Sequence, residues 1–506
     1  MKDAWIIAVA ACFATLRAQP DTRIFRPEIP KTWDDAAIPT LEIPLANPSA
    51  SPKHVSADYY YRIPVRPIYK SYTVFAPGHE RSGYIDFLLH QEPVVFWDDQ
   101  GRAPPLNTKA DWIRAGEMVF DAAVVYDGIT TAADVQKPDW YAKTGVLLTG
   151  EGVMPFYRYV IRQEGKLELG RLACASCHTR VMPDGTTLKG AQGNFAFDPA
   201  RAYVFRTGRF KLEEARATER ALFAAPWLRP DPNAQINAMS VEEIAVAQNA
   251  IPFGVLARHR SSLFFPVQVP DLIGVQGRRY LDRTGLQQHR SIVDLMRYAA
   301  LNQGGDDLAS YAGFVPVDSP NFRKLPEPRD PRVVGRYSDE QLYALALYVY
   351  SLEPPPNPNK SDALAARGEK VFSREGCAGC HPPPLYTNNK LTPAEGFTIP
   401  KEHLQEYEIL PISVGTDSNL ALKTRRGTGY YKVPSLMGLW YRAMFPHDGS
   451  CATLEDWFDP RRMEDGYVPS GFKGYGVKTR AVKGHPFGLE LSSDDKNALI
   501  AFLRTI

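Results

Sequence analysis

Two short runs of the sequence share one order of residues, Cys-x-x-Cys-His. They supply Cys174, Cys177 and His178 in the first copy, and Cys377, Cys380 and His381 in the second. Covalent c-type haem requires this pattern, because two thiols at helical spacing add to the porphyrin vinyl groups and the following imidazole binds the iron. With six Cys and ten His among 506 residues, two such runs do not arise by chance. The sequence therefore predicts two covalent haems, with His178 and His381 as iron ligands.

Two other chemistries use paired cysteines. A four-Cys zinc site has its pairs about 15 to 20 residues apart, whereas these pairs are about 200 residues apart. A thioredoxin-like dithiol needs neither the following His nor a second copy. Both remain alternatives that the motif disfavours.

Length and charge limit the classes of protein to be considered. A chain of 506 residues is long enough for two or three domains. Its 59 basic and 57 acidic residues give a net charge of +2, without the basic excess typical of a nucleic-acid partner. Nucleic acid is therefore not an expected partner.

The first 18 residues have the pattern of a secretory signal. One Lys precedes an apolar run from Ala4 to Ala14, and small residues follow up to a cleavage position near Ala18. The run is too short to span a bilayer, so no transmembrane helix is expected in the mature chain. A buried first helix and a lipoprotein cleavage that leaves an anchor on Cys12 are the alternatives. Export implies a periplasmic or secreted protein.

The fold class predicted is mainly α, with two cytochrome c-like haem domains and a long, loop-rich N-terminal arm. Proline-rich composition indicates an extended arm, and a tyrosine cluster at 59–61 indicates that the arm packs on the body. The predicted divisions are a signal at 1–18, the arm at 19–105, a first haem domain at 106–353, a linker at 354–359 and a second haem domain at 360–506.

Sequence patterns typical of helices occur near the start and near the end of both predicted haem domains. Gly116 and Phe120 in the first copy align with Gly368 and Phe372 in the second. The segments 338–352 and 492–506 each open with an N-cap Ser and early acidic residues before an apolar face. In the first copy the Cys pair follows its Gly much further along the chain, which predicts a long insertion before the first haem.

A loop after each haem motif also repeats. VPDLIGVQGRRYLDRTG at 269–285 and VPSLMGLWYRAMFPHDG at 433–449 match at Val, Pro, Leu, Gly and the final Gly, without a gap. Duplication of one haem domain is the simplest explanation.

Three further motifs accompany the two CxxCH motifs, namely VGTD at 414–417, KVPSL at 432–436 and FPHDGSCATLEDW at 445–457. With these motifs the chain resembles the di-haem family of bacterial cytochrome c peroxidases and MauG. The resemblance covers roughly residues 106 to 506. In layout it is most similar to the di-haem rubber oxygenases, secreted enzymes that cleave polyisoprene with dioxygen at one haem. It implies a reactive haem 1 and an electron-relaying haem 2.

The sequence departs from that family at two positions. Peroxidases and MauG carry a Trp between the haems in the first loop, and this chain has Arg283 there. The second-haem Met or Tyr ligand of the family corresponds to Arg461, which is no ligand, and Met463 follows two residues later. A polyisoprene substrate does not follow from the resemblance, because the C-terminal segment is shorter.

The sixth iron position decides function, since a second protein ligand makes an electron carrier and an open position binds oxygen or peroxide. For haem 2 the favoured ligand is His485, which lies in a turn with Gly484, Pro486 and Gly488. The resemblance to rubber oxygenases also favours two His ligands. The alternatives are Met463, Met444 and His447, or a surface role for His485.

For haem 1 no Met occurs in the first copy of the loop, so an open or water-bound iron is expected. His289 is a candidate for ligation or for acid/base chemistry beside this iron. The resemblance to peroxidases, which carry a proton-moving acid about 20 residues after the loop Trp, points to Gln303 and Asp306 for that role. Each of the three has a purely structural alternative. The sequence thus predicts a haem oxidoreductase that uses peroxide or dioxygen and exchanges electrons with a small redox protein. A non-enzymatic electron carrier is the alternative.

Overall fold

The computed structural model describes residues 23–258, 260–304, 308–316 and 335–506. The helices in these ranges are α1 (Ala57–Arg62), α2 (Tyr84–Leu89), α3 (Lys109–Asp121), α4 (Pro138–Thr144), α5 (Cys174–His178), α6 (Phe197–Arg206), α7 (Leu212–Phe223), α8 (Val241–Asn249), α9 (Ile292–Gly304), α10 (Asp339–Tyr350), α11 (Ala363–Arg374), α12 (His403–Glu406), α13 (Asn419–Leu422), α14 (Leu454–Trp457) and α15 (Ser493–Thr505). None of these helices has both the length and the apolar character needed to cross a membrane. The predicted signal at 1–18, with Cys12, lies outside the described residues.

The strands in the same ranges are mostly short. They are β1 (Pro52–His54), β2 (Ile68–Tyr69), β3 (Ser71–Phe75), β4 (Val95–Trp97), β5 (Val125–Tyr126), β6 (Val153–Gln163), β7 (Lys166–Arg171), β8 (Thr179–Val181), β9 (Thr187–Lys189), β10 (Val255–Leu256), β11 (Val267–Gln268), β12 (Ala309–Tyr311), β13 (Leu391–Pro393) and β14 (Tyr430–Lys432). Four of them form an antiparallel sheet in the order β3-β6-β7-β5.

This sheet corrects the prediction of a mainly α protein, which holds only in part. The hairpin of β6 and β7 occupies the predicted insertion and ends just before the CxxCH helix α5. The Ser176 hydroxyl of α5 donates to the Phe156 carbonyl of β6 over 2.8 Å, so the sheet positions the first motif. Most of β6 is buried on both faces, and its sequence therefore lacks the apolar-polar alternation that indicates a strand.

Two helix pairs cross at a glycine in the same way. A Cβ atom on Gly116 of α3 would lie 2.0 Å from the Ala344 carbonyl oxygen of α10. A Cβ atom on Gly368 of α11 would lie 1.9 Å from the Ala498 carbonyl oxygen of α15. Only glycine permits backbones to approach this closely. The repeat of first and last helices predicted from the sequence is therefore present in the structure.

Polar side chains cap all four of these helices. The N-cap residues are Thr108, Ser338, Asp362 and Ser492, and each accepts a hydrogen bond from the backbone N–H three residues further on. A cap of this kind stabilises a helix by about 1 kcal/mol. Ser338 and Ser492 are the caps that the sequence predicts.

The first helix pair packs on α9 and on the segment predicted to be an extended arm. Trp33 stacks on Tyr60 with ring centroids 4.5 Å apart, and each side chain is 1% exposed. Both belong to the apolar core that α3, α9 and α10 share. The segment also contains α1, α2 and strand β3, so it is not extended throughout.

The duplicated loops share left-handed turns at two pairs of equivalent glycines. Gly274 and Gly438 both adopt a left-handed φ, +74° and +73°, and Gly285 and Gly449 do so at +66° and +72°. Residues with a Cβ rarely adopt this conformation. The glycines that match between the two copies are therefore those that the turns require.

The loops also pair with each other reciprocally. The backbone N–H of Gln268 donates to the His447 carbonyl over 2.8 Å, and that of Lys432 donates to the Arg283 carbonyl over 3.1 Å. Lys432 is the repeat equivalent of Gln268, and His447 is the equivalent of Arg283. An approximate two-fold axis therefore relates the two copies of the loop, with Arg283 and His447 at equivalent positions beside it.

Candidate haem sites at the two CxxCH motifs

The first motif opens into a cavity of about 1040 Å³. Cys174, Cys177 and His178 form part of its wall. Much of the remaining wall is apolar and comes from α9 and α10, including Leu295, Ala299, Leu342, Leu345, Ala346 and Val349.

The second motif opens into a cavity of about 1470 Å³. Cys377, Cys380, His381 and His485 all line it. The other lining side chains are mostly apolar and include Phe372, Leu436, Leu439, Leu454, Trp457, Phe458, Leu499 and Leu503. Each cavity thus combines two thiols and one imidazole with a large apolar wall, which fits a porphyrin.

The histidine of each motif faces the duplicated loop. His381 donates from Nδ1 to the Tyr386 carbonyl over 3.0 Å, which leaves Nε2 available for a metal ion. The pKa of His381 is lowered by burial, against hydrogen bonds with the Tyr386 and Pro434 carbonyls. Burial lowers the pKa of His178 to about 4, against a hydrogen bond with the Pro270 carbonyl. Pro270 and Pro434 are repeat equivalents, so each motif histidine lies beside the same position of its loop.

His485 faces His381 across the second cavity. Their ring centroids are 6.4 Å apart. Two imidazoles on opposite sides of one metal ion, each bonded at about 2.0 Å, have ring centroids about 6.3 Å apart. Burial, with His381 and Arg462 nearby, lowers the pKa of His485 to about 3, so its imidazole is neutral and able to act as a ligand. Ligation by His485 remains a prediction, and this spacing supports it.

A buried arginine holds the His485 turn in place. His485 has a left-handed φ of +48°, which is uncommon for a residue with a side chain. The Arg462 guanidinium donates to the carbonyls of Val482 at 2.5 Å, Gly484 at 3.0 Å and His485 at 2.8 Å. The backbone N–H of His485 donates to the Val414 carbonyl over 2.6 Å. These bonds fix the direction in which the imidazole is presented.

The alternative ligands for haem 2 are less well placed. The Met463 sulfur accepts from Arg462 over 3.4 Å, and neither Met463 nor Met444 is among the described residues that line the cavity. His447 does line it, but its Nε2 lies 3.2 Å from a carboxylate oxygen of Asp417. Burial alone would lower the pKa of His447, yet Asp417 raises it above its ordinary value, and the Asp417 carboxylate already pairs with Nε2.

The predicted haem 1 residues are not brought together. Gln303 lines the first cavity, with its Nε2 3.5 Å from the Cys174 sulfur. His289 is not among the described lining residues, and its ring nitrogens lie 2.7 Å from the Arg278 carbonyl and 2.6 Å from the Tyr350 hydroxyl. Asp306 lies outside the described residues. A role for His289 at haem 1 stays a prediction that its position does not support.

Sequence reasoning missed a polar group in the first cavity. Tyr298 and Asn302, one helical turn apart on α9, line it together with Asp282, Arg258 and Arg426. Burial and Asp282 raise the pKa of Tyr298 to about 12, so its hydroxyl keeps its proton. Spacing of four residues on a helix that follows the duplicated loop is the only signal in the sequence for this pair.

The geometry also bears on the alternatives for the cysteines. The two pairs line separate cavities, whereas a four-Cys zinc site requires all four thiols around one ion. Burial raises the pKa of Cys174 to about 12 and that of Cys377 to about 11. A reactive dithiol instead needs a thiol whose pKa is lowered.

No protein-family model matches the chain, and no curated protein matches it. Among solved structures, hydrazine synthase of Kuenenia stuttgartiensis is 16% identical, with a TM-score of 0.29, over 59% of this chain and 93% of that one. A MauG-like protein associated with microbial copper homeostasis is 15% identical, with a TM-score of 0.29, over 47% of this chain and 75% of that one. At these TM-scores the likeness carries no argument about fold or function.

Proposed function

We propose that this chain is an exported di-haem c-type cytochrome and a haem oxidoreductase. Haem 1, on His178, reacts with peroxide or dioxygen, and haem 2, on His381 and His485, passes electrons to or from a small redox protein. Bound in this way, haem iron supplies one-electron and oxygen chemistry that no side chain provides.

One observation carries this proposal, namely the inequality of the two cavities. The second contains two imidazoles at the spacing of a six-coordinate metal ion. Among the described residues that line the first, His178 is the only histidine, and no methionine is present. A closed iron suits electron transfer and an open iron suits reaction with a small oxidant.

The first cavity contains a hydrogen-bond donor, a group that orients this donor, and a water-excluding apolar wall. The Tyr298 hydroxyl keeps its proton at neutral pH and is able to donate a hydrogen bond into the cavity. Asn302 is hydrogen-bonded to Tyr298 and so orients it. The apolar side chains of α9 and α10 exclude water from the rest of the wall, which strengthens such polar interactions.

The proposal is tested by counting covalent haems in the mature protein, produced in a host that attaches haem c. Intact mass after acid extraction should show two haems on the wild-type chain. The double variant C174A/C177A should lose one haem and C377A/C380A should lose the other. The control C451A should keep both, because Cys451 is buried outside the cavity linings. A wild-type chain without covalent haem would overturn the proposal.

A further inference from the structure

A third, smaller cavity of about 390 Å³ lies beside the two CxxCH cavities, and its wall is strongly basic. Arg278, Arg283, Lys432 and Arg442 line it, and we call these four residues the cationic junction. Lys432 and Arg442 also line the second CxxCH cavity. Arg283 lines the junction and both CxxCH cavities. The approximate two-fold axis between the loops explains this central position of Arg283.

Among the described residues, the hydrogen bonds of these four cations go to neutral acceptors. Lys432 donates from Nζ to the carbonyls of Tyr280 and Leu281, both at 3.0 Å. Arg278 donates to the carbonyls of Asp271 and Ile273, and Arg442 to that of Ser435. Arg283 donates to the Gln268 side-chain oxygen. The buried Nε atoms of Arg283 and Arg442 have no hydrogen-bond partner.

Negative charge near the junction is scarce. Asp271 lines the cavity, and the Tyr441 hydroxyl already donates to it over 2.7 Å. Burial, together with Arg442 and Arg278, lowers the pKa of Arg283 to about 9, against Asp271 and Asp282, which raise it. Clustered buried cations are costly unless anions accompany them. The junction is therefore built for an anionic ligand that the protein itself does not supply.

We infer that the cationic junction binds the propionate groups of both haems and that Arg283 is bonded to a propionate of each. This inference rests on the proposed function, since it needs a haem in each CxxCH cavity. Two haems bring four carboxylates, and a guanidinium has five N–H donors in a planar fork that is able to bind two of them. Arg283 is then a positioning residue whose single charge acts on both irons.

The shared charge has a measurable consequence. A cation near a haem disfavours the more positive ferric state and so raises the reduction potential. Arg283→Met removes the charge and keeps most of the side-chain volume. Both potentials should fall, each by at least a tenfold change in the equilibrium constant of its one-electron couple, which corresponds to 59 mV.

Potentiometric titration followed by absorbance tests this inference, because each haem gives its own wave. R442M is the matched comparison: Arg442 is not among the residues that line the first cavity, so only the potential of haem 2 should fall. R114M, which removes an exposed arginine of α3, should change neither potential. R283Q replaces R283M if the latter does not fold.

The possible failures are distinguishable. Intact mass counts the haems independently of the potentials. A variant at Arg283 that keeps two covalent haems and both wild-type potentials overturns the inference and leaves the proposed function standing. A fall in only one potential also overturns it, because Arg283 would then serve one haem. Wild-type protein without covalent haem overturns the proposed function itself.

Discussion

His485→Ala is expected to convert haem 2 from low spin to high spin, with loss of essentially all of the low-spin signal. The reason is geometric: His485 is the imidazole that faces His381, at a ring spacing of 6.4 Å. Alanine leaves the iron one ligand short and opens a gap beside Trp457. Haem 1 should still bind cyanide as in the wild type. Absorbance and electron paramagnetic resonance spectra of the ferric protein measure both effects.

Two controls make this result specific. Added imidazole should enter the gap and restore the low-spin signal of His485→Ala. Met463→Leu should keep the wild-type spectrum, because the Met463 sulfur contacts Arg462 and does not line the cavity. If Met463→Leu loses the low-spin signal and His485→Ala keeps it, Met463 is the ligand and His485 is only part of the turn.

Gly368→Ala is expected to destabilise the second helix pair. Its Cβ atom would lie 1.9 Å from the Ala498 carbonyl oxygen, so α11 and α15 must move apart. Overpacking of this kind costs about 1–3 kcal/mol. The intrinsic preference of helices for Ala over Gly, about 1 kcal/mol, acts in the opposite direction. The net cost is then up to about 2 kcal/mol, and thermal unfolding of the holoprotein should show a Tm that is lower by up to about 8 °C.

The matched control is Gly466→Ala. Gly466 is exposed, and a Cβ atom there would have no neighbour within 4 Å. A surface change of this kind alters stability by less than about 0.5 kcal/mol. Gly116→Ala should behave like Gly368→Ala, because its Cβ would meet the Ala344 carbonyl oxygen at 2.0 Å. Equal Tm values for Gly368→Ala and Gly466→Ala would contradict the close crossing.

The features that could be predicted from the sequence are those that repeat within it. Gly116 and Gly368 align because each helix crossing excludes a side chain, and the loop glycines align because each turn requires a left-handed backbone. The proximal histidines follow from the covalent chemistry of their motif. His485 could be proposed because its glycine-rich turn has no counterpart in the first copy.

The remaining features depend on contacts between distant parts of the chain. Strand β6 is buried on both faces, so no alternation marks it. His289 follows the first loop closely in sequence, yet its ring bonds to Tyr350 of α10, and no local pattern indicates this. Arg283 could be recognised as a departure from the family, but the cationic junction is visible only where the two loops meet.

The inequality of the two haems is tested most directly by the electron paramagnetic resonance spectrum of the ferric wild-type protein, with and without cyanide. One high-spin and one low-spin haem in equal amounts are expected, and cyanide should convert only the high-spin haem. Two low-spin haems that ignore cyanide would contradict the proposal and show that the protein is an electron carrier.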